Sequence, residues 1–172
     1  PNACNLCHTD QDAQWAADAV DRFKGPDRPK EVRHPKAFHA FRTGKAEAEK
    51  LLLATCRDSE SPAFTRAGAM LALRRFLSDA SFDEARRNLD SNESVVRTAA
   101  VSKLEDLPPE RSHASLVRML SDPILAVRSE AARILSRSPT TLFEENELKL
   151  FRKVFRELKK RYEHNLDRPE SH

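Results

Sequence analysis

Apolar residues recur along this chain at the three- and four-residue intervals that build one face of an amphipathic helix. The first such stretch runs from Asp10 to Phe23, with Trp15, Ala16, Ala19, Val20 and Phe23 in helical register, and stops at Gly25-Pro26. Asp27 to Pro35 is polar, basic and proline-bearing and predicts a loop, after which a short helix through Phe38 and Phe41 ends near Gly44. Paired helices follow: Ala46 to Cys56 with Phe64 to Leu77, then Phe82 to Leu89 with Val95 to Leu104, closed by Pro108-Pro109. In the third pair Leu116, Val117, Met119 and Leu120 carry the first apolar face, and Val127, Ala131, Ile134 and Leu135 the second. Beyond Pro139 a long helix is predicted from Glu144 to Tyr162, apolar at Leu148, Phe151, Val154, Phe155 and Leu158 and basic at Lys159-Lys160-Arg161, which suits its dipole.

A period underlies the pairs. Arg66, Arg97 and Arg128 stand 31 residues apart, and Ala69, Ala100 and Ala131 keep the same register, as do Leu73, Leu104 and Leu135. Two entering loops also match, Leu89-Asp90-Ser91-Asn92 and Leu120-Ser121-Asp122-Pro123, while Cys56-Arg57-Asp58-Ser59-Glu60-Ser61-Pro62 is looser. Their Asp, Ser and Asn residues are suited to capping a helix, and Pro123 to its first turn. A single pair of this size cannot bury its own apolar face, so stacked neighbours must share one core. The expectation is an all-α chain: an α-solenoid of about three helix pairs over residues 46–137, preceded by a segment 1–45 and followed by a terminal helical region 138–172.

Composition narrows the class. With three glycines in 172 residues and 33% charged residues of both signs, collagen-like, low-complexity and disulfide-dense readings fail. The longest apolar run, Leu51-Leu52-Leu53-Ala54, is far short of the roughly 20 residues that cross a bilayer, so no membrane insertion is expected. Thirty basic against 27 acidic residues leave a net charge of only +3. Arg74-Arg75, Arg86-Arg87 and Lys159-Lys160-Arg161 therefore read as solvated helix faces, and no nucleic acid is expected as partner. The chain opens at Pro1 with no initiator Met, which reads as a processed or excised piece of a longer protein.

Chemistry concentrates at the start, where Cys4-Asn5-Leu6-Cys7-His8 forms C-x-x-C-H, the attachment motif of c-type haem. Two thiols three positions apart reach the two vinyl groups of a haem edge, and His8 follows as proximal axial ligand. At this composition the motif is expected by chance roughly 0.002 times. Three other readings stand beside it. A thioredoxin-type site needs a strand and a βαβ setting, which this chain lacks. Cys4 and Cys7 with His34 and His39 make a four-ligand count for a structural zinc, although 26 residues separate the pairs. A plain structural or disulfide pair is the third. Cys56 lies in an apolar helical stretch and reads as a small buried hydrophobe.

For the sixth position on the iron the candidates are His34, His39, His113, His164 and His172. His39 comes first, on its short aromatic helix, and His34 second; a missing domain is the other source. Met70 and Met119 fall on repeat-core positions and read as packing. Trp15, eleven residues after Cys4, reads as core and haem neighbour together.

Two resemblances sharpen these expectations. Residues 46–137 resemble the short form of the HEAT repeat, whose D-x-x-x-x-V-R-x-x-A-A run is matched by Asp122, Val127-Arg128 and Ala131-Ala132. Val96-Arg97 with Ala99-Ala100 is shifted by one at the alanines, and Thr65-Arg66 departs at the valine. The resemblance implies that each arginine ties successive repeats together through an acid. The stretch Asn2 to Asp10 with Trp15-Ala16, then Ala37-Phe38-His39-Ala40-Phe41-Arg42-Thr43-Gly44, looks like the last haem segment of large multihaem cytochromes c that continue into helical repeats. The tail from Tyr162 to His172 is similar to the opening of a tetratricopeptide array. These likenesses imply electron transfer by one covalent haem c, bis-histidine ligation, and other haem domains or redox proteins as partners. Covalent attachment implies a bacterial periplasmic or extracellular setting. No acid–base group is arranged for substrate chemistry, so electron transfer rather than catalysis is expected of the chain itself, while the resemblance leaves open a parent protein that is a multihaem oxidoreductase. The competing class is a non-enzymatic HEAT interaction module, with zinc on Cys4, Cys7, His34 and His39 or with no metal.

Overall fold

The computed structural model describes residues 3–24 and 34–164, and among them every regular element is helical. Contacts divide the chain into two compact units, Pro1–Val32 and Arg33–His172. The first holds α1 (Cys4–Cys7) and α2 (Ala13–Lys24). The second holds α3 (His34–Arg42), α4 (Ala48–Arg57), α5 (Ala63–Ala72), α6 (Asp79–Asn88), α7 (Ser94–Leu104), α8 (Pro109–Met119), α9 (Leu125–Leu135) and α10 (Glu145–His164). The division falls earlier than residue 45 because α3 packs on α4 and α5.

In the second unit α4 packs on α5, α6 on α7 and α8 on α9, while α5, α7, α9 and α10 each contact the next along the row. Helices α5, α7 and α9 begin at Ala63, Ser94 and Leu125, in the 31-residue register of the arginine column. The other two columns explain why the row packs. Ala69, Ala100 and Ala131 are fully buried, small enough for helices to approach, and Leu73, Leu104 and Leu135 are buried beside them. Each such leucine contributes about 1.5–3 kcal/mol by leaving water.

Polar bonds repeat with the same period. Arg66 Nε donates to the Ser61 carbonyl (3.2 Å), Arg97 Nη1 to Asn92 (3.2 Å) and Arg128 Nη1 to Pro123 (3.1 Å), each five residues back along its entering loop. Ion pairs then run forward, from Arg97 Nε to Asp122 Oδ2 (2.7 Å) and from Arg128 Nε to Glu157 Oε2 (3.0 Å). A second seam joins the ends of three helices: Glu105 receives Arg74 (3.1 Å), Arg133 (2.8 Å) and Arg137 (2.6 Å).

Several predicted boundaries move. Helix α5 stops at Ala72 and a 3-10 turn covers Leu73–Arg75, well short of Leu77. The carbonyl of Phe76 is taken instead by Ser81 Oγ (2.7 Å) and by the buried Lys103 Nζ (2.8 Å), and Ser78 caps α6. Pro123 lies before α9 and not in its first turn, because Asp122 Oδ1 accepts the Ile124 N–H (2.8 Å) and starts the helix later. The residues capping α5, α7 and α9 are Pro62, Glu93 and Ile124, none of which accepts a side-chain cap bond. Pro108 and Pro109 open α8 as well as closing the pair before it. Pro35 sits inside the first turn of α3, where its missing N–H costs nothing, while the predicted stop at Gly25-Pro26 and the rest of the predicted loop lie outside the described residues. The tail beyond His164 also lies outside them.

Candidate functional site

The C-x-x-C-H motif is a single helical turn. Three residues of helix bring Cys4 and Cys7 onto one side of α1, where both thiols are free and exposed. The turn closes with the His8 N–H on the Cys4 carbonyl (2.9 Å), and the backbone of His8 then leaves the helix at φ −96°, ψ 68°. Its imidazole comes to rest against Trp15, ring centres 4.8 Å apart and tilted by 50°.

Trp15 is held in turn by the start of α2. Asp12 Oδ1 accepts the Trp15 N–H (2.7 Å), an N-terminal cap that the apolar spacing of the helix does not reveal. Asn5, inside the motif, donates its amide to the Gln11 carbonyl (2.7 Å) and to that of Asp12 (3.3 Å), clasping the cysteine turn to the next helix. Nothing in the motif spacing distinguishes Asn5 from an arbitrary residue at an x position; only the folded turn gives it a task. Asp10 is held below its usual range, first by the Gln11 side-chain amide and also by its own backbone and the charge of His8.

Much apolar surface around this turn is open. Leu6 is 77% exposed and Phe23 92% exposed, with Val20 also exposed, although the helical spacing predicts Val20 and Phe23 as part of a buried stripe. Ala16 is buried in this unit. A 12-residue helix beside a four-residue turn has too little surface of its own to cover that stripe.

The remaining predicted ligands belong to the second unit. His39 is exposed on α3 and its ring makes no hydrogen bond among the described residues; His34, at the start of the same helix, is half-buried. An open groove of about 430 Å³ passes His39, bounded by Pro35, Lys36, Lys45, Glu47 and Leu51. His113 is committed elsewhere: it is buried, its Nε2 is 3.2 Å from Glu147 Oε2, and its ring meets Phe143 edge-on at 4.6 Å. The side chain of His164 and all of His172 lie outside the described residues. Met70 and Met119 are buried in the core, and Cys56 is buried with its thiol pushed up to about 12 by burial and by the charge of Glu84. Among the described residues no three His, Cys, Asp or Glu side chains gather as a metal-holding group.

Four of the predicted site residues therefore share one small unit, with Cys4 and Cys7 on the α1 turn, His8 at its end and Trp15 on α2 against the His8 ring, and His34 and His39 share α3 in the other unit. No known protein family, curated protein or solved structure matches this chain.

Proposed function

We propose that this chain is an electron-transfer cytochrome c-type protein that holds one haem c covalently on a HEAT-like α-solenoid. The observation that carries the reading is the pair of free, exposed thiols on one helical turn, followed directly by a histidine seated on a tryptophan. These residues fit the group: Cys4 and Cys7 would hold it through thioether bonds and His8 would be its proximal ligand. When bound, the haem supplies a one-electron iron couple. The protein's own part is to hold the turn with Asn5, to fix the His8 ring against Trp15, and to offer apolar surface at Leu6 and Phe23 that a porphyrin would cover. His39 is the first candidate for the distal position, with His34 second.

The recurrence of helix starts and of arginine bonds every 31 residues supports the HEAT-like reading of residues 46–137, and the scaffold in this proposal docks redox partners or neighbouring haem domains. If the haem is attached as proposed, covalent attachment implies a bacterial periplasmic or extracellular setting.

Production in a periplasm with haem-maturation machinery tests the reading. A Soret band, a pyridine haemochrome and one iron per chain are expected, with haem retained on a denaturing gel. Cys4→Ala with Cys7→Ala should abolish that retention, whereas His8→Ala should keep the thioethers and lose the low-spin spectrum. Absence of the haemochrome under those conditions defeats the proposal, and stoichiometric zinc in its place would favour the interaction-module alternative.

A further inference from the structure

Charges on the stack are matched where helix meets helix, whereas the middle of α10, between the Glu145–Lys149 pair and Glu163, presents unmatched cations on the face opposite Val154 and Leu158. Between successive helix pairs, arginines find carboxylates about 25 to 29 residues further along the chain, as in Arg57 with Glu84 (2.6 Å), Arg97 with Asp122 and Arg128 with Glu157. On α10 every acid is already engaged: Glu145 with Lys149 (2.6 Å), Glu147 with His113, Glu157 with Arg128, and Glu163 with Lys159 (3.7 Å). Of the cations whose side chains are described, Arg152, Lys153, Arg156 and Lys160 remain. All four are exposed, and among the described residues none has a carboxylate partner; Arg156 Nε reaches only the Arg152 carbonyl (3.3 Å).

Helical geometry gathers these four onto one strip. At about 100° per residue they fall within an arc of about 100°, roughly opposite the buried Val154 and Leu158, and at about 1.5 Å per residue they span about 12 Å. Arg152, Arg156 and Lys160 follow one another at four-residue steps, about 6 Å each. Like charges at that spacing repel, so the strip is under electrostatic tension that an anionic surface would relieve.

We propose that this strip is a docking surface for a helix of a partner protein that carries Asp or Glu at four-residue spacing. Such carboxylates repeat at the same interval of about 6 Å, so one register satisfies three cations together. It is also the chemistry by which this chain joins its own helices, continued onto an element outside the stack. Two other anionic classes fit less well. The exposed aromatics Phe155 and Tyr162 lie away from the strip on the apolar side of α10, so no ring stands among the cations to stack a base. No apolar side chain lies within the cationic arc to enter a bilayer, as a membrane-surface helix requires. The proposal does not depend on the haem reading.

The test uses the full chain and a fluorescein-labelled, alanine-based helical peptide with three glutamates at four-residue spacing, read by anisotropy at about 50 mM salt, where surface charges are weakly screened. Binding is expected, together with loss of about tenfold or more in affinity on Arg152→Glu/Arg156→Glu/Lys160→Glu. A peptide with glutamines in place of glutamates should not bind, and Lys45→Glu/Lys50→Glu at the other end of the stack should leave the affinity unchanged. An affinity within about twofold of wild type in the triple variant overturns the proposal. So does tighter binding of a DNA duplex or of phosphatidylserine vesicles through the same three residues. If the reversal disturbs folding, the glutamine triple variant is read instead, once its melting curve matches wild type: weakened binding supports the proposal and unchanged binding overturns it.

Discussion

Replacing Arg97 by alanine removes a well-buried, two-pronged tie between successive helix pairs. The Arg97 and Asp122 side chains are only 13% and 5% exposed, and the guanidinium grips both carboxylate oxygens, Nε to Oδ2 at 2.7 Å and Nη2 to Oδ1 at 3.1 Å. The same arginine satisfies the carbonyls of Ser91 (2.8 Å) and Asn92. Burial pushes the Asp122 carboxyl up, but the Arg97 bond and the Ile124 N–H outweigh it and hold the group below its ordinary 3.8. Truncation strands a buried carboxylate, which costs about 3–5 kcal/mol when nothing else compensates. Because the Ile124 N–H remains in place, the lower end applies, about 3 kcal/mol, or a fall in Tm of roughly 6–12 °C for a chain of this size. Arg118→Ala is the matched control: its partner Asp90 is 68% exposed and the arginine 51%, so the loss should stay under about 1 kcal/mol. Thermal unfolding followed by circular dichroism at pH 7 compares them. The sign of the pH effect follows from the lowered carboxyl: the Arg97 contribution is present above pH 3.8 and disappears as pH falls through the folded value, so wild type and variant should converge in acid. Equal melting shifts for the two variants would refute this account of how the pairs are joined.

Three further outcomes follow from named contacts. Gly68→Ala should stabilise by about 0.5–1 kcal/mol in the same melting assay, because an added Cβ in the middle of α5 meets Phe38 Cζ at an ordinary 3.5 Å; Gly44→Ala should destabilise, because Gly44 holds φ at +65°. Glu105 is held below its ordinary 4.5, foremost by the Arg133 hydrogen bonds, so its contribution is full above pH 4.5 and is lost as pH falls through the folded value. Glu105→Gln should cost about 1–2 kcal/mol at pH 7 in urea unfolding and make stability fall less steeply below pH 4.5. In protein prepared without haem, iodoacetamide at pH 8 should alkylate Cys4 and Cys7 quickly and Cys56 only on unfolding, as counted by mass spectrometry, because Cys4 and Cys7 are exposed whereas Cys56 is buried and its thiol is pushed up.

Element by element, the helical class and the centres of the helices were legible because apolar spacing records which side of a helix faces the core. Leu116, Leu120, Val127, Ala131 and Leu135 are predicted core positions and are buried. Helix ends were less legible, because competing bonds from distant residues set them. Lys103, 27 residues downstream, helps hold the Phe76 carbonyl that ends the α5 segment, and Asp122 serves both Arg97 and the start of α9. Lys103 itself, fully buried with its ammonium 3.9 Å from the Phe82 ring centre, is a charge that spacing alone would place in solvent.

At the candidate site the division is similar. The sequence by itself determined that two cysteines stand three positions apart with a histidine directly after the second, and one helical turn is enough to bring those two cysteines to one side. It also determined the 31-residue register, because a recurring pattern survives in the order of residues. Only the tertiary structure decided that Asn5 clasps the cysteine turn, that His8 rests on Trp15, that His113 is engaged by Glu147, and that among the described residues the acids of α10 are spent while four of its cations are not. The physical reason is the same in each case. Such partnerships depend on distances between side chains, and neighbours in space at 3 Å are set by packing rather than by their order along the chain.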